Sequence, residues 1–194
     1  MKTSKFIKSG AFALAASMLF AGCAGITHEP KVDVSKLKDI DENDFFEALE
    51  KIGIDERDTD VMEDTSFSFD DNDMDFEVEY CIDAYADNDN YYSYTRCVDE
   101  ATAKALFDYY FDDYDHIFDS KDFSGIKSYE VGTNTGYLLI DGRYDNQVSG
   151  TYTPYHDALF LKGDTVVFAM ASDYDVAIEK EVNNFLDALG YPHP

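Results

Sequence analysis

Residues Phe76 to Ala86 alternate in character, with Val78, Tyr80, Ile82 and Ala84 on one side and Glu77, Glu79, Cys81 and Asp83 on the other. The run Asp87-Asn88-Asp89-Asn90 follows, and Tyr91 to Val98 is again rich in β-formers. A period of two on either side of an Asx-rich turn specifies an antiparallel hairpin. A hairpin cannot stand alone in water, so it demands further strands or a covering layer.

The rest of the chain supplies both. A first helix is expected from Asp41 to Ile52, with Asp41 as its cap, Phe45, Ala48, Leu49 and Ile52 on one face, and Gly53 as its stop. A second is expected from Asp99 to Phe118 and a third from Tyr174 to Leu189. Strands are expected at Ile126–Val131, Tyr137–Tyr144, Ala158–Lys162 and Thr165–Ala171, with Ser66–Phe69 as a short edge. This is an α+β pattern: one antiparallel sheet of about five to six strands, three helices, and the helices on one face. Hairpin, Asp and helix recur at 76–118 and 158–189, where Asp99, Ala103 and Phe111 match Asp173, Ala177 and Phe185. A degenerate ββα repeat would produce those matches, and so would shared capping and packing needs. Residues 41–194 read as a single domain.

Charge decides which partners are open to it. The 194 residues carry 15 Lys and Arg against 41 Asp and Glu, a net charge of -26. Nucleic acid is excluded as a partner, because binding it needs clustered basic residues to displace counterions. The one basic cluster, Lys2, Lys5 and Lys8, opens the chain, and the apolar run Ala11–Ala21 follows it. The first acidic residue is Glu29. This order is that of a secretory signal, and the run is shorter than the roughly 20 apolar residues that span a bilayer.

The run ends Leu19-Phe20-Ala21-Gly22-Cys23-Ala24. Small residues ahead of a Cys resemble the lipobox of bacterial prolipoproteins, with Leu19 four positions before Cys23. The resemblance covers residues 1–23 alone. It implies cleavage after Gly22 and a covalent diacylglycerol on the Cys23 sulfur, and no other cofactor is expected. It also implies an extracytoplasmic address on the cell membrane, or on the outer membrane if the source has one. Residues 1–22 are then the signal peptide and 23–40 a lipid-anchored tether. Losing three of 15 basic residues and no acidic one leaves 12 against 41, a net charge of -29 over 172 residues.

Chemistry-bearing patterns are sparse in the mature chain. A hairpin turning at Asp89 sets Cys81 opposite Cys97, close enough for a cross-strand disulfide. Two free thiols, or a metal pair whose other ligands are not evident, remain open at this point. Asp70-Asp71-Asn72-Asp73-Met74-Asp75 has calcium-ligating side chains but fails the EF-hand pattern: with Asp71 first, Phe76 stands at the glycine position and Ile82 at the bidentate glutamate position. No metal site is therefore expected. His116 lies among Asp113, Asp115 and Asp119, and His156 simply precedes Asp157; neither has a spaced ligand partner. Nucleophile and phosphate-loop motifs are missing, so no catalytic residue is expected. Tyr91, Tyr92 and Tyr94 border the hairpin turn, Tyr152 and Tyr155 flank Pro154, and exposed tyrosines favour interfaces.

The expectation is a cell-envelope lipoprotein that is not an enzyme and acts as a binding or structural module toward an envelope protein, glycan or peptide. Two alternatives stay open: an extracytoplasmic hydrolase with a carboxylate site, and a cation-binding surface lipoprotein.

Overall fold

The computed structural model describes residues 32–69, 74–118, 120–173 and 175–194. The expected signal peptide, Cys23 and residues 70–73 of the acidic run lie outside the described residues. Among those described, no helix is long and apolar enough to cross a membrane.

Seven strands form one sheet: β1 (Thr59–Phe69), β2 (Met74–Tyr85), β3 (Tyr91–Cys97), β4 (Phe123–Val131), β5 (Thr135–Asn146), β6 (Thr151–Lys162) and β7 (Thr165–Met170). Their order is β1-β2-β3-β7-β6-β5-β4, and every neighbouring pair is antiparallel. Among the described residues, four α-helices accompany them: α1 (Glu42–Ile52), α2 (Glu100–Asp112), α3 (Asp115–Phe118) and α4 (Val176–Leu189).

The α+β class stands, but the strands exceed the five or six expected and the helices the three. The added strand is the full length of β1. Asp60, Glu63 and Asp64 mask its period, as an edge strand tolerates charge where a central one does not. The expected long second helix breaks after Asp112, and Tyr114 turns onto the sheet, its hydroxyl donating to Asp157 Oδ2 at 2.9 Å.

Helices cover both faces of the sheet rather than one. α1 and α4 bury Phe45, Leu49, Val182, Phe185 and Leu186 against Ile82, Tyr94, Leu139, Phe160 and Val167. On the opposite face α2 and α3 bury Leu106, Phe107 and Ile117 against Leu138, Ile140, Leu159, Leu161 and Val166. Central strands enclosed in this way need apolar residues at consecutive positions, and Ala158-Leu159-Phe160-Leu161 and Val166-Val167-Phe168-Ala169 supply them. The two-sided cover also disposes of the ββα repeat. The units β2-β3-α2 and β6-β7-α4 meet antiparallel at β3 and β7, and a two-fold rotation relating such units would put both helices on one face. Here they lie on opposite faces, and α4 is capped by Asp175, not by Asp173.

The packed domain begins before residue 41. Leu37 and Ile40, assigned to the tether by sequence, are buried, and Tyr191 donates from its hydroxyl to Lys38 O at 2.9 Å.

The hairpin forms with a different register. Its partners are Cys81↔Thr95, Asp83↔Ser93 and Tyr85↔Tyr91, which centre the turn on Asn88 rather than Asp89. A bulge between Val78 and Tyr80 then pairs Cys97 with Val78. Residues on either side of that bulge face different layers: Phe76 packs with α2 and Ile82 with α1 and α4. Cys81 and Cys97 are consequently not cross-strand partners, and both are free and buried. Cys81 Sγ lies 3.5 Å from Thr95 Oγ1, and burial pushes both thiols up to about 12.

Candidate functional site

The five tyrosines singled out from the sequence do not make one surface. Tyr92 and Tyr94 are core residues, with the Tyr92 ring centred 4.5 Å from that of Phe185 and its hydroxyl donating to Glu181 Oε1 at 2.9 Å. The Tyr91 hydroxyl donates to Asp83 Oδ1 at 2.6 Å. Tyr155 is half-buried among Tyr114, Phe123 and His116. Tyr152 alone of the five stands exposed, at 57%. The turn-flanking tyrosines are internal because β3 is covered on both faces.

His116 keeps away from the carboxylates beside it in sequence. Its Nδ1 lies 2.8 Å from Asp113 O, which can only accept, so this nitrogen carries the proton. Nε2 lies 3.1 Å from the Tyr155 hydroxyl.

The other central histidine anchors a polar constellation that local sequence spacing hides. Asp141 on β5 and His156 on β6 are register partners, so their side chains share the face covered by α4. Glu179 and Asn183 stand one turn apart on α4 and meet them. His156 is almost wholly buried; its Nδ1 lies 3.3 Å from Asp141 Oδ1 and its Nε2 2.9 Å from Asn183 Oδ1. Ligating atoms of Asp141, His156 and Glu179 all lie within 4.8 Å of one another. Among the described residues no Lys or Arg pairs with either carboxylate. Burial works against a charged imidazole, but the hydrogen bonds to Asp141 and Asn183 and the fields of Asp141 and Glu179 outweigh it, so the His156 pKa is raised. These partners sit 15, 23 and 27 residues from His156. The one local sign was the Glu179/Asn183 spacing on a helix.

Asp157 points the other way. It is 3% exposed, and among the described residues its Oδ1 has no partner at good hydrogen-bond geometry. Burial lifts its carboxyl to about 7, against the opposing hydrogen bond from Tyr114. It is not among the residues that line the clefts beside Leu37, Arg96, Arg143 and Glu181. Its setting is that of a core residue packed beneath α2 and α3.

The two sheet edges differ. β1 carries Asp60, Glu63 and Asp64, and Asp64 has a positive φ of 44°, which disturbs the strand. β4 has a single acidic residue, Glu130, and exposes Tyr129 and Val131 at 51% and 43%. The Tyr129 ring meets Phe118 at 4.8 Å and Phe111 at 5.4 Å, extending an aromatic strip from the open edge onto α2 and α3. Lys127 holds this corner by donating to the carbonyls of Ile117, at 2.8 Å, and Phe118. Those carbonyls lie in the last turn of α3 and at its end, where a cation is favoured.

Comparisons with family models, curated proteins and solved structures return no match for this chain.

Proposed function

We propose that this chain is a lipid-anchored envelope lipoprotein whose folded domain binds a basic, extended polypeptide segment of an envelope protein along β4. The observation that supports this reading is the open β4 edge, bordered by the aromatic strip of Phe111, Phe118 and Tyr129. A free edge offers alternating N–H and C=O groups to an added strand, and neighbouring apolar side chains select what docks there. With one acid and one base, Glu130 and Lys127, against the three acids of β1, β4 is the less guarded of the two edges. The net charge of -29 in the processed chain favours a basic partner and speeds its approach. A glycan lacks the backbone groups that a strand edge pairs with.

Two measurements test the reading. A clickable fatty acid should label the full-length protein in cells and should fail to label Cys23→Ser; equal labelling of both would remove the anchor. A photo-crosslinking residue at Tyr129 should give a discrete protein adduct in intact envelopes. The same residue at Val148, fully exposed on the β5–β6 turn, should give none. Adducts from both positions, or from neither, would remove β4 as the binding edge.

A further inference from the structure

We infer that Asp141, His156 and Glu179 form a binding site for a first-row divalent transition-metal ion. It goes beyond the β4 reading and is independent of it, lying on the opposite face of the sheet.

The argument starts from the hydrogens of His156. Asn183 Oδ1 faces Nε2 at 2.9 Å, so Nε2 carries a proton and donates to it. A neutral ring then has a bare lone pair on Nδ1, aimed at Asp141 Oδ1 only 3.3 Å away. Two acceptors in that geometry need a positive centre between or beside them. A second proton on the ring is one answer, yet 3.3 Å is long for a charge-assisted bond, which usually runs about 2.7–2.9 Å. Glu179 brings a second carboxylate to the same place, and the described residues set no Lys or Arg against it. One imidazolium facing two carboxylates still leaves the cluster negative. A divalent cation neutralises both acids and takes the free nitrogen.

The donor set selects the ion. One imidazole nitrogen and two carboxylates suit zinc and its neighbours, whereas calcium and magnesium prefer oxygen alone. Tetrahedral zinc at bond lengths near 2.0–2.1 Å sets its ligands about 3.3 Å apart. The present spacing of up to 4.8 Å closes to that through rotation of Asp141 and Glu179, both only partly buried, while buried His156 stays fixed. The Nε2–H to Asn183 bond is the support a metal-bound histidine commonly has, with its second nitrogen donating to an oxygen. Asn183 is accordingly a positioning residue. Three elements contribute to the cluster, so the ion would also tie α4 to β5 and β6.

The test is zinc chloride titrated into full-length, EDTA-stripped protein in detergent, followed by calorimetry and thermal melting. One zinc per chain is expected, with a melting temperature raised by several degrees and a much smaller rise for calcium or magnesium at equal concentration. Glu179→Gln and Asp141→Asn alter partly exposed groups, and each should weaken zinc at least tenfold. Glu47→Gln, on the exposed side of α1, should not change it. Cobalt in place of zinc should give the visible absorption of a tetrahedral nitrogen–oxygen site, lost in Glu179→Gln. Zinc that binds the three variants alike, or that calcium equals, would reduce the cluster to general surface charge and overturn the site.

Discussion

Asp157 is where single-residue physics has the clearest consequence. Its folded pKa of about 7 lies above the usual 3.8, so the folded state holds this proton more tightly than the unfolded state. Its contribution to stability is full below about pH 4 and is lost as pH rises through about 7, by at most roughly 1.4 kcal/mol for each pH unit crossed. Asp33, Asp44, Asp55 and Asp99 are shifted down and act oppositely, their contributions being lost as pH falls below the usual carboxylate range. Asp157→Asn keeps an acceptor for Tyr114 and removes the titration. Because His156, also raised, loses its contribution in the same window, the variant should show a smaller fall in melting temperature between pH 5 and about 8 than the parent; parallel profiles would place the ionisation elsewhere. No local pattern announced this residue. His156-Asp157 looks like any polar pair until β6 is known to be covered on both sides, which puts one of them under each layer.

The ends of α1 were legible and strand faces were not. Asp41 and Gly53 cap α1 where the sequence places them, the cap closed by reciprocal bonds between Asp41 and Asp44. Caps are local chemistry, carried by the residues that make them. Faces and registers depend on a bulge and on layers contributed from elsewhere in the chain, and the Cys81–Cys97 pairing failed for that reason. α4 is tied to the β2–β3 turn by a similarly distant contact. Asn90, fully buried, donates to Glu181 Oε1 at 3.1 Å and to Ile178 O at 3.2 Å, and accepts from Ser172 N at 2.9 Å. Asn90→Ala strands three partners and opens a void, so it should cost about 2–4 kcal/mol in chemical denaturation. A loss under about 0.5 kcal/mol would mean that water replaces the amide without penalty. None of this could be seen from the Asp87–Asn90 run, which reads only as a turn.

At the scale of the molecule, charge and topology act on different properties. A chain at -26 repels itself, and salt relieves the repulsion. The melting temperature should rise between about 10 and 150 mM sodium chloride, and a flat profile would show that the ion pairs of Arg96, Lys38 and Lys104 already neutralise the field locally. The class of the fold was legible because hairpins and amphipathic helices are local patterns. The sandwiching of the sheet was written in the uninterrupted apolar runs of β6 and β7, but a one-sided expectation left those runs without a use.

The strand order also sets a timetable. β1, β2 and β3 form one ribbon, β4, β5 and β6 another, and β7 alone touches both, pairing with β3 and β6. The chain is made from its N-terminus, so the strand that joins the ribbons appears after all the others, and α4 follows it. Until then each ribbon carries bare apolar faces, and contacts so distant in sequence close slowly. The protein's most vulnerable moment thus comes late in its synthesis, when nearly all of it is made and none of it is finished.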